Sequence, residues 1–149
     1  MERHPRLEGP GRFSAIFRTR HRATGRARLV EVTDVVSPSA ADLIVRCLEA
    51  EGVEYVFGIP GEENIRLIDA LRDSSIRYVL TRHEQAASFM AEIYGRLTGR
   101  AGVCSATLGP GAINLQLGVA DATTNSTPLV ALSAQVGLDR IYKESHQVV

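Results

Sequence analysis

The stretch YVLTRHEQAA, Tyr78 to Ala87, carries an apolar run straight into Arg82-His83-Glu84 and then into small residues. A carboxylate in that position has two uses. It can favour the first turn of a helix, whose free N–H groups carry partial positive charge. It can also act as an acid–base group at the rim of a sheet. Two other stretches could meet it. Thr107-Leu108-Gly109-Pro110-Gly111 precedes a helical pattern, and glycine at a helix start leaves backbone donors open to an anion or to a closely laid ring. Asn114, one turn further on, can reach back to a ligand or cap its own backbone. Gly58-Ile59-Pro60-Gly61 is not a dinucleotide fingerprint, because GxGxxG is absent after the first strand and no phosphate-binding GxxxxGK motif occurs. No Ser/His/Asp or Cys/His set in a suggestive order accompanies these residues, and no metal-ligand cluster does.

The elements that must position them follow from hydrophobic period. Ser37-Pro38-Ser39 offers a helix cap, and Ala40 to Glu51 sets Leu43, Ile44, Cys47 and Leu48 on one face before Gly52 stops it. A strand is predicted over Val53 to Phe57. A helix with Ile65, Leu67, Ile68 and Leu71 as its apolar set comes next, then a strand over Ile76 to Leu80. His83 to Leu97 reads as a helix closed by Gly99, Ala101 to Ala106 as a strand, Ala112 to Ala122 as a helix and Pro128 to Leu132 as a strand. This alternation predicts an α/β fold, an open parallel sheet with helices on both faces, joined by right-handed crossovers. The short, nearly continuous apolar runs suit strands buried on both faces. In such sheets ligands sit beyond the carboxyl ends of the strands. The Gly58–Gly61, Arg82–Gln85 and Thr107–Gly111 loops should therefore gather on one rim, with Glu84 the one acid at the immediate end of any of these strands.

Bulk properties narrow the function. The 149 residues suffice for one domain with a sizeable core. The formal net charge of +0 gives no support for nucleic-acid binding, and no apolar stretch is long enough to span a bilayer. Cys47 and Cys104 stand far apart without a CxxC pair, which predicts a reduced, cytoplasmic protein. Charge is uneven, however. Residues 1–30 hold eight arginines against two acids, whereas from Ser39 onward 13 acids face nine basic residues. Segment 1–38, rich in Gly, Pro, Ser and Thr, shows no clear period. It is expected to be a disordered leader, and a non-native extension from a misplaced start rather than a transit peptide.

In combination, VEYVFGIPG, RHEQAASFMAEIYGRLTG, ATLGPGAINLQLGVADA and PLVALSAQV resemble the amino-terminal, pyrimidine-binding domain of thiamine diphosphate-dependent enzymes, most closely the acetolactate synthase group. The resemblance covers roughly Ser39 to Val149. It implies that Glu84 is catalytic, hydrogen-bonding a ring nitrogen of the cofactor's aminopyrimidine. A carboxyl group kept from water can share its proton with that nitrogen. The aminopyrimidine then removes a proton from the thiazolium carbon, and the cofactor acts as an electron sink for 2-keto acids in decarboxylation and carboligation. It further implies that Pro60, Gly61, Thr107, Gly109, Pro110, Gly111 and Asn114 line the cofactor site, and that His146 and Gln147 face the substrate. Acetolactate synthases proper usually carry Phe-Gln there, so His146 departs from their pattern.

The family's diphosphate and magnesium ligands, in a GDG-to-Asn motif, are absent here. The expectation is therefore a domain, 39–149, truncated at its C-terminal end, which receives only the pyrimidine half of the cofactor. The full-length family implies a homodimer or higher assembly. A fragment of an acetolactate synthase-like enzyme, inactive alone, is the first reading. The others are the small subunit of a split enzyme, whose partner chain carries the diphosphate and magnesium domain, and a non-catalytic interaction domain.

Overall fold

A computed structural model describes residues 15–20, 27–32, 37–141 and 143. The chain divides into two compact units, 1–38 and 39–149.

In the first unit, β1 (Ala15–Arg20) pairs antiparallel with β2 (Ala27–Val32), from Ala15 opposite Val32 to Arg20 opposite Ala27. The rest of the expected leader, residues 1–14, 21–26 and 33–36, lies outside the described residues. Ile16, Phe17, Thr19, Leu29, Val30 and Val32 are strand formers, but interspersed arginines blur their alternation.

The second unit alternates helix and strand. Its elements are α1 (Ala40–Ala50), β3 (Tyr55–Gly58), α2 (Ile65–Arg72), β4 (Arg77–Leu80), α3 (Glu84–Thr98), β5 (Gly102–Ala106), α4 (Pro110–Thr124) and β6 (Leu129–Ser133). Ser39 caps α1 as its residue type suggested. Its hydroxyl accepts from the Asp42 amide at 3.2 Å while the Asp42 carboxylate accepts the Ser39 amide at 2.8 Å. The Ser39 hydroxyl, donating to Asp42 Oδ2 at 2.8 Å, and then the Ser39 amide hold the Asp42 carboxyl below its ordinary range.

The four strands form one parallel sheet in the order β4-β3-β5-β6, with Phe57 beside both Val79 and Cys104. The centre belongs to β3 and β5. Only these are buried on both faces; β4 and β6 are edges that leave Leu80 and Val130 exposed, against the expectation for all four runs. Val45, Val56, Leu71, Ile76 and Val103 pack on the side of α1 and α2. Phe57, Ala87, Ala91, Cys104, Ala106 and Leu115 pack on the side of α3 and α4. Neighbouring residues of one strand thus serve opposite layers, as the pleat requires. In α1 the inward residues are Val45 and Leu48, whereas Leu43, Ile44 and Cys47 of the expected apolar face are exposed.

Helices α3 and α4 meet along small residues. Ala87, Ser88, Ala91 and Gly95 are buried on α3, and Gly111, Gly118 and Ala122 on α4. A β-carbon on Gly118 would come within 2.7 Å of the Ser88 carbonyl carbon, so the two backbones approach as closely as the sequence permits. Among the described residues no helix is long and apolar enough to cross a membrane.

Candidate active site

The order β4-β3-β5-β6 makes the chain reverse direction across the sheet between β3 and β5, where open parallel sheets hold their ligands. The three loops converge there. The Thr81 amide, just past β4, donates to the Gly58 carbonyl at 2.9 Å, which ties the exits of β4 and β3 together. Gly61, beyond β3, lies so close to the Thr107 methyl that a β-carbon would collide with it. A β-carbon on Gly111 would stand 3.0 Å from the Thr107 hydroxyl and 3.5 Å from Glu84 Oε1. Gly61, Thr107, Gly111 and Glu84 therefore lie close together at the exits of β3, β4 and β5.

Glu84 is the first residue of α3. His83 caps that helix, its Nδ1 accepting the Gln85 amide at 3.2 Å, while Thr81 Oγ1 donates to the His83 carbonyl at 3.1 Å. His83 is thus used by the helix start, and Arg82 beside it is exposed. Glu84 is half-buried. Its Oε2 accepts a hydrogen bond from Asn114 Nδ2 at 2.9 Å, and Oε1 has no hydrogen-bond partner among the described residues. Asn114 neither caps its own backbone nor stands apart; it reaches across from α4 to the carboxylate.

The Gly109–Gly111 segment differs from its expected form. Helix α4 begins at Pro110, two residues before the predicted start, so Pro110 and Gly111 are already helical. Gly109 has φ 54° and ψ −121°, a backbone state that favours glycine. Pro110 has no N–H, and the Gly111 amide donates to the Leu108 carbonyl at 3.2 Å. Two of the donors expected at this helix start, at Pro110 and Gly111, are therefore missing or spent. Pro60 and Pro110 are exposed at the margin, Gly109 is buried, and His146 and Gln147 lie outside the described residues.

Sequence reasoning missed Asn64. It is buried; its side chain accepts the Gly61 amide at 2.8 Å and donates to the Ile59 carbonyl at 3.1 Å, which fixes the loop after β3. An asparagine three residues beyond a glycine turn is a recognisable side-chain-to-backbone signal. Tyr78 was also missed. Its hydroxyl abuts Gly58 without a hydrogen-bond partner among the described residues, and burial pushes the phenol up to about 12. Among the described residues no group of three or more His, Cys, Asp or Glu side chains could hold a metal ion.

Residues 38–149 match the family described as the thiamine pyrophosphate enzyme N-terminal TPP binding domain. The chain is 46% identical over 109 residues to a probable acetolactate synthase large subunit of Methanocaldococcus jannaschii, covering 73% of this chain and 18% of that protein. It is 46% identical over 118 residues to an acetolactate synthase of Bacillus subtilis, covering 78% and 20%. A chloroplastic acetolactate synthase of Arabidopsis thaliana is 54% identical over 97 residues, covering 64% and 14%. The chain thus spans a fifth or less of the length of these relatives. It belongs to the family of N-terminal thiamine pyrophosphate-binding domains, in the group that resembles acetolactate synthases.

Proposed function

We propose that the chain forms the aminopyrimidine-binding part of an acetolactate synthase-like enzyme acting on 2-keto acids, with Glu84 as its catalytic carboxyl group. The supporting observation is the convergence of Glu84 with Gly61, Thr107, Gly111 and Asn114 at the strand ends, where Oε2 accepts from Asn114 and Oε1 has no hydrogen-bond partner among the described residues. A carboxyl oxygen already saturated by the protein could not exchange a proton with a ligand; this one can. In this reading Glu84 hydrogen-bonds a ring nitrogen of the aminopyrimidine. Asn64 fixes the loop that brings up Gly61, and Thr107 supports the turn into α4. Pro60, Gly109, Pro110 and Asn114 complete the lining. Thiamine diphosphate, when bound, supplies the electron sink for making and breaking bonds beside a carbonyl carbon.

Magnesium and the diphosphate belong to a region outside this chain, so the working assembly is a homodimer or higher form of a longer enzyme. The alternative is a split enzyme in which a separate chain brings the metal-binding domain. Exposed Met90, Ile93 and Leu97 on α3, with Ile113 and Leu117 on α4, favour burial of this unit against further protein in either case. A purely non-catalytic interaction domain would share that surface but would not need Oε1 of Glu84 open. Free Cys47 and Cys104, the former exposed, support a reducing compartment such as the cytoplasm.

Titration of the chain with 4-amino-5-hydroxymethyl-2-methylpyrimidine, followed by amide NMR shifts, tests this reading. Shifts centred on Gly61, Thr107, Gly111 and Asn114, and lost in Glu84→Gln, are expected. Shifts that persist unchanged in Glu84→Gln would reject the assignment.

A further inference from the structure

We propose that the cavity between α1, the start of α2 and the strands β5 and β6 is a binding site for a small neutral molecule, an aliphatic body carrying one hydroxyl or carbonyl group. The cavity has a volume of about 350 Å³, and its lining includes Ala41, Ile44, Asn64, Leu67, Ser105 and Leu132. Ser105 decides its character. Val103 packs toward α1 and α2 and Cys104 toward α3 and α4, so the pleat turns Ser105 to the side of α1 and α2. Ser105 is 1% exposed, and its hydroxyl has no hydrogen-bond partner among the described residues. A buried hydroxyl left unpaired is costly, and a ligand group that pairs with it removes that cost.

The other uncharged polar side chains of the lining are already committed. Asn64 accepts the Gly61 amide at 2.8 Å and donates to the Ile59 carbonyl at 3.1 Å. Ser133 Oγ donates to the Thr107 carbonyl at 3.0 Å. Glu63, half-buried, and Arg66, exposed, also line the cavity, and their opposite charges leave little net attraction for an ion. Ala41, Ile44, Leu67 and Leu132 offer apolar surface, which suits a hydrocarbon body. Glu84 and Asn114 belong to α3 and α4, in the opposite layer, and neither lines this cavity. The site therefore stands whether or not the cofactor reading does.

Titration of the full chain with cyclohexanol, followed by amide NMR shifts, tests the proposal. Saturable shifts centred on Ile44, Leu67, Ser105 and Leu132 are expected. Ser105→Ala deletes a hydroxyl that has no partner, so the fold should stand. Its affinity for cyclohexanol should fall about 2–10-fold, the worth of one neutral hydrogen bond. Ala41→Phe, on the first turn of α1, should fill the cavity and abolish the shifts. Cyclohexanecarboxylate and cyclohexylammonium should bind at least about tenfold more weakly, because each would carry a charge into an apolar space. Absence of saturable shifts would mean that the cavity holds solvent only and would overturn the proposal. Equal affinity in Ser105→Ala, unchanged binding in Ala41→Phe, or either ion binding as tightly as the alcohol would overturn it too.

Discussion

Two glutamates on α3 sit two turns apart and are treated in opposite ways. Glu92 is fully buried. Its Oε1 accepts from Nε of Arg96 at 2.9 Å, from Nη2 of the same residue and from Thr127 Oγ1 at 3.1 Å, while Oε2 is sealed without a partner. Arg96 also reaches Asp121 on α4 at 3.5 Å. Glu84 is half-buried, carries one hydrogen bond from a neutral amide, and keeps its other oxygen open. One carboxylate binds α3 to α4 and to the start of β6; the other is held lightly and left available. Burial alone does not mark a reactive acid.

The largest expected effect separates the two by activity. With residues 38–149 placed in the matching segment of the Bacillus subtilis acetolactate synthase, Glu84→Gln should lower the rate of carboligation by about 10²–10⁴-fold. Its cost in stability should stay below about 1 kcal/mol, the worth of a first-turn carboxylate. A chimera whose rate is unaffected would erase the distinction. Second comes Arg96→Ala, which strands a buried charge and should destabilise by about 3–5 kcal/mol in denaturant unfolding. A cost under 1 kcal/mol would mean that Glu92 is not held through Arg96. Third, Gly118→Ala forces a β-carbon onto Ser88 and should cost about 1–3 kcal/mol. A neutral result would show that the helices can separate freely.

A control comes last, because it involves neither carboxylate. Burial pushes the Cys104 thiol from 9.0 to about 12 and the Tyr78 phenol from 10.0 to about 12. Both groups hold their protons more tightly folded than unfolded. Stability should therefore be intact below pH 9 and fall as pH rises from there to about 12, by at most about 1.4 kcal/mol per unit for each group. Thermal melts of Cys104→Ala between pH 8 and 11 should show a shallower decline than the unaltered chain. An identical decline would remove Cys104 as a cause.

The alternation of elements was legible because helix and strand periods differ sharply and Ser39 announces its own cap. The convergence of the three loops followed from parallel topology, so Glu84 could be placed before any coordinates. Other features depend on neighbours that a local pattern does not contain. An apolar face on α1 was visible, but the packing partners turn Val45 inward and leave Leu43 and Ile44 out. An apolar run reads alike in a central or an edge strand, so β4 and β6 could not be told from β3 and β5. Asn114 was noticed, yet nothing in the spacing from Glu84, thirty residues earlier, shows that the two side chains touch. The early start of α4 at Pro110 follows a known preference of proline for the first helical position.

The sheet order has a consequence for how the molecule acquires its chemistry. Gly58 is bonded to Thr81 across 23 residues, and Glu84 to Asn114 across 30. Parallel strands cannot pair until an entire crossover has closed, so none of these groups meets another by local collapse. During folding, loop-closure entropy is spent before any part of the site exists. The assembled rim is therefore a late and cooperative product: a chain with native helices but slipped strands would carry every one of these residues and have no site.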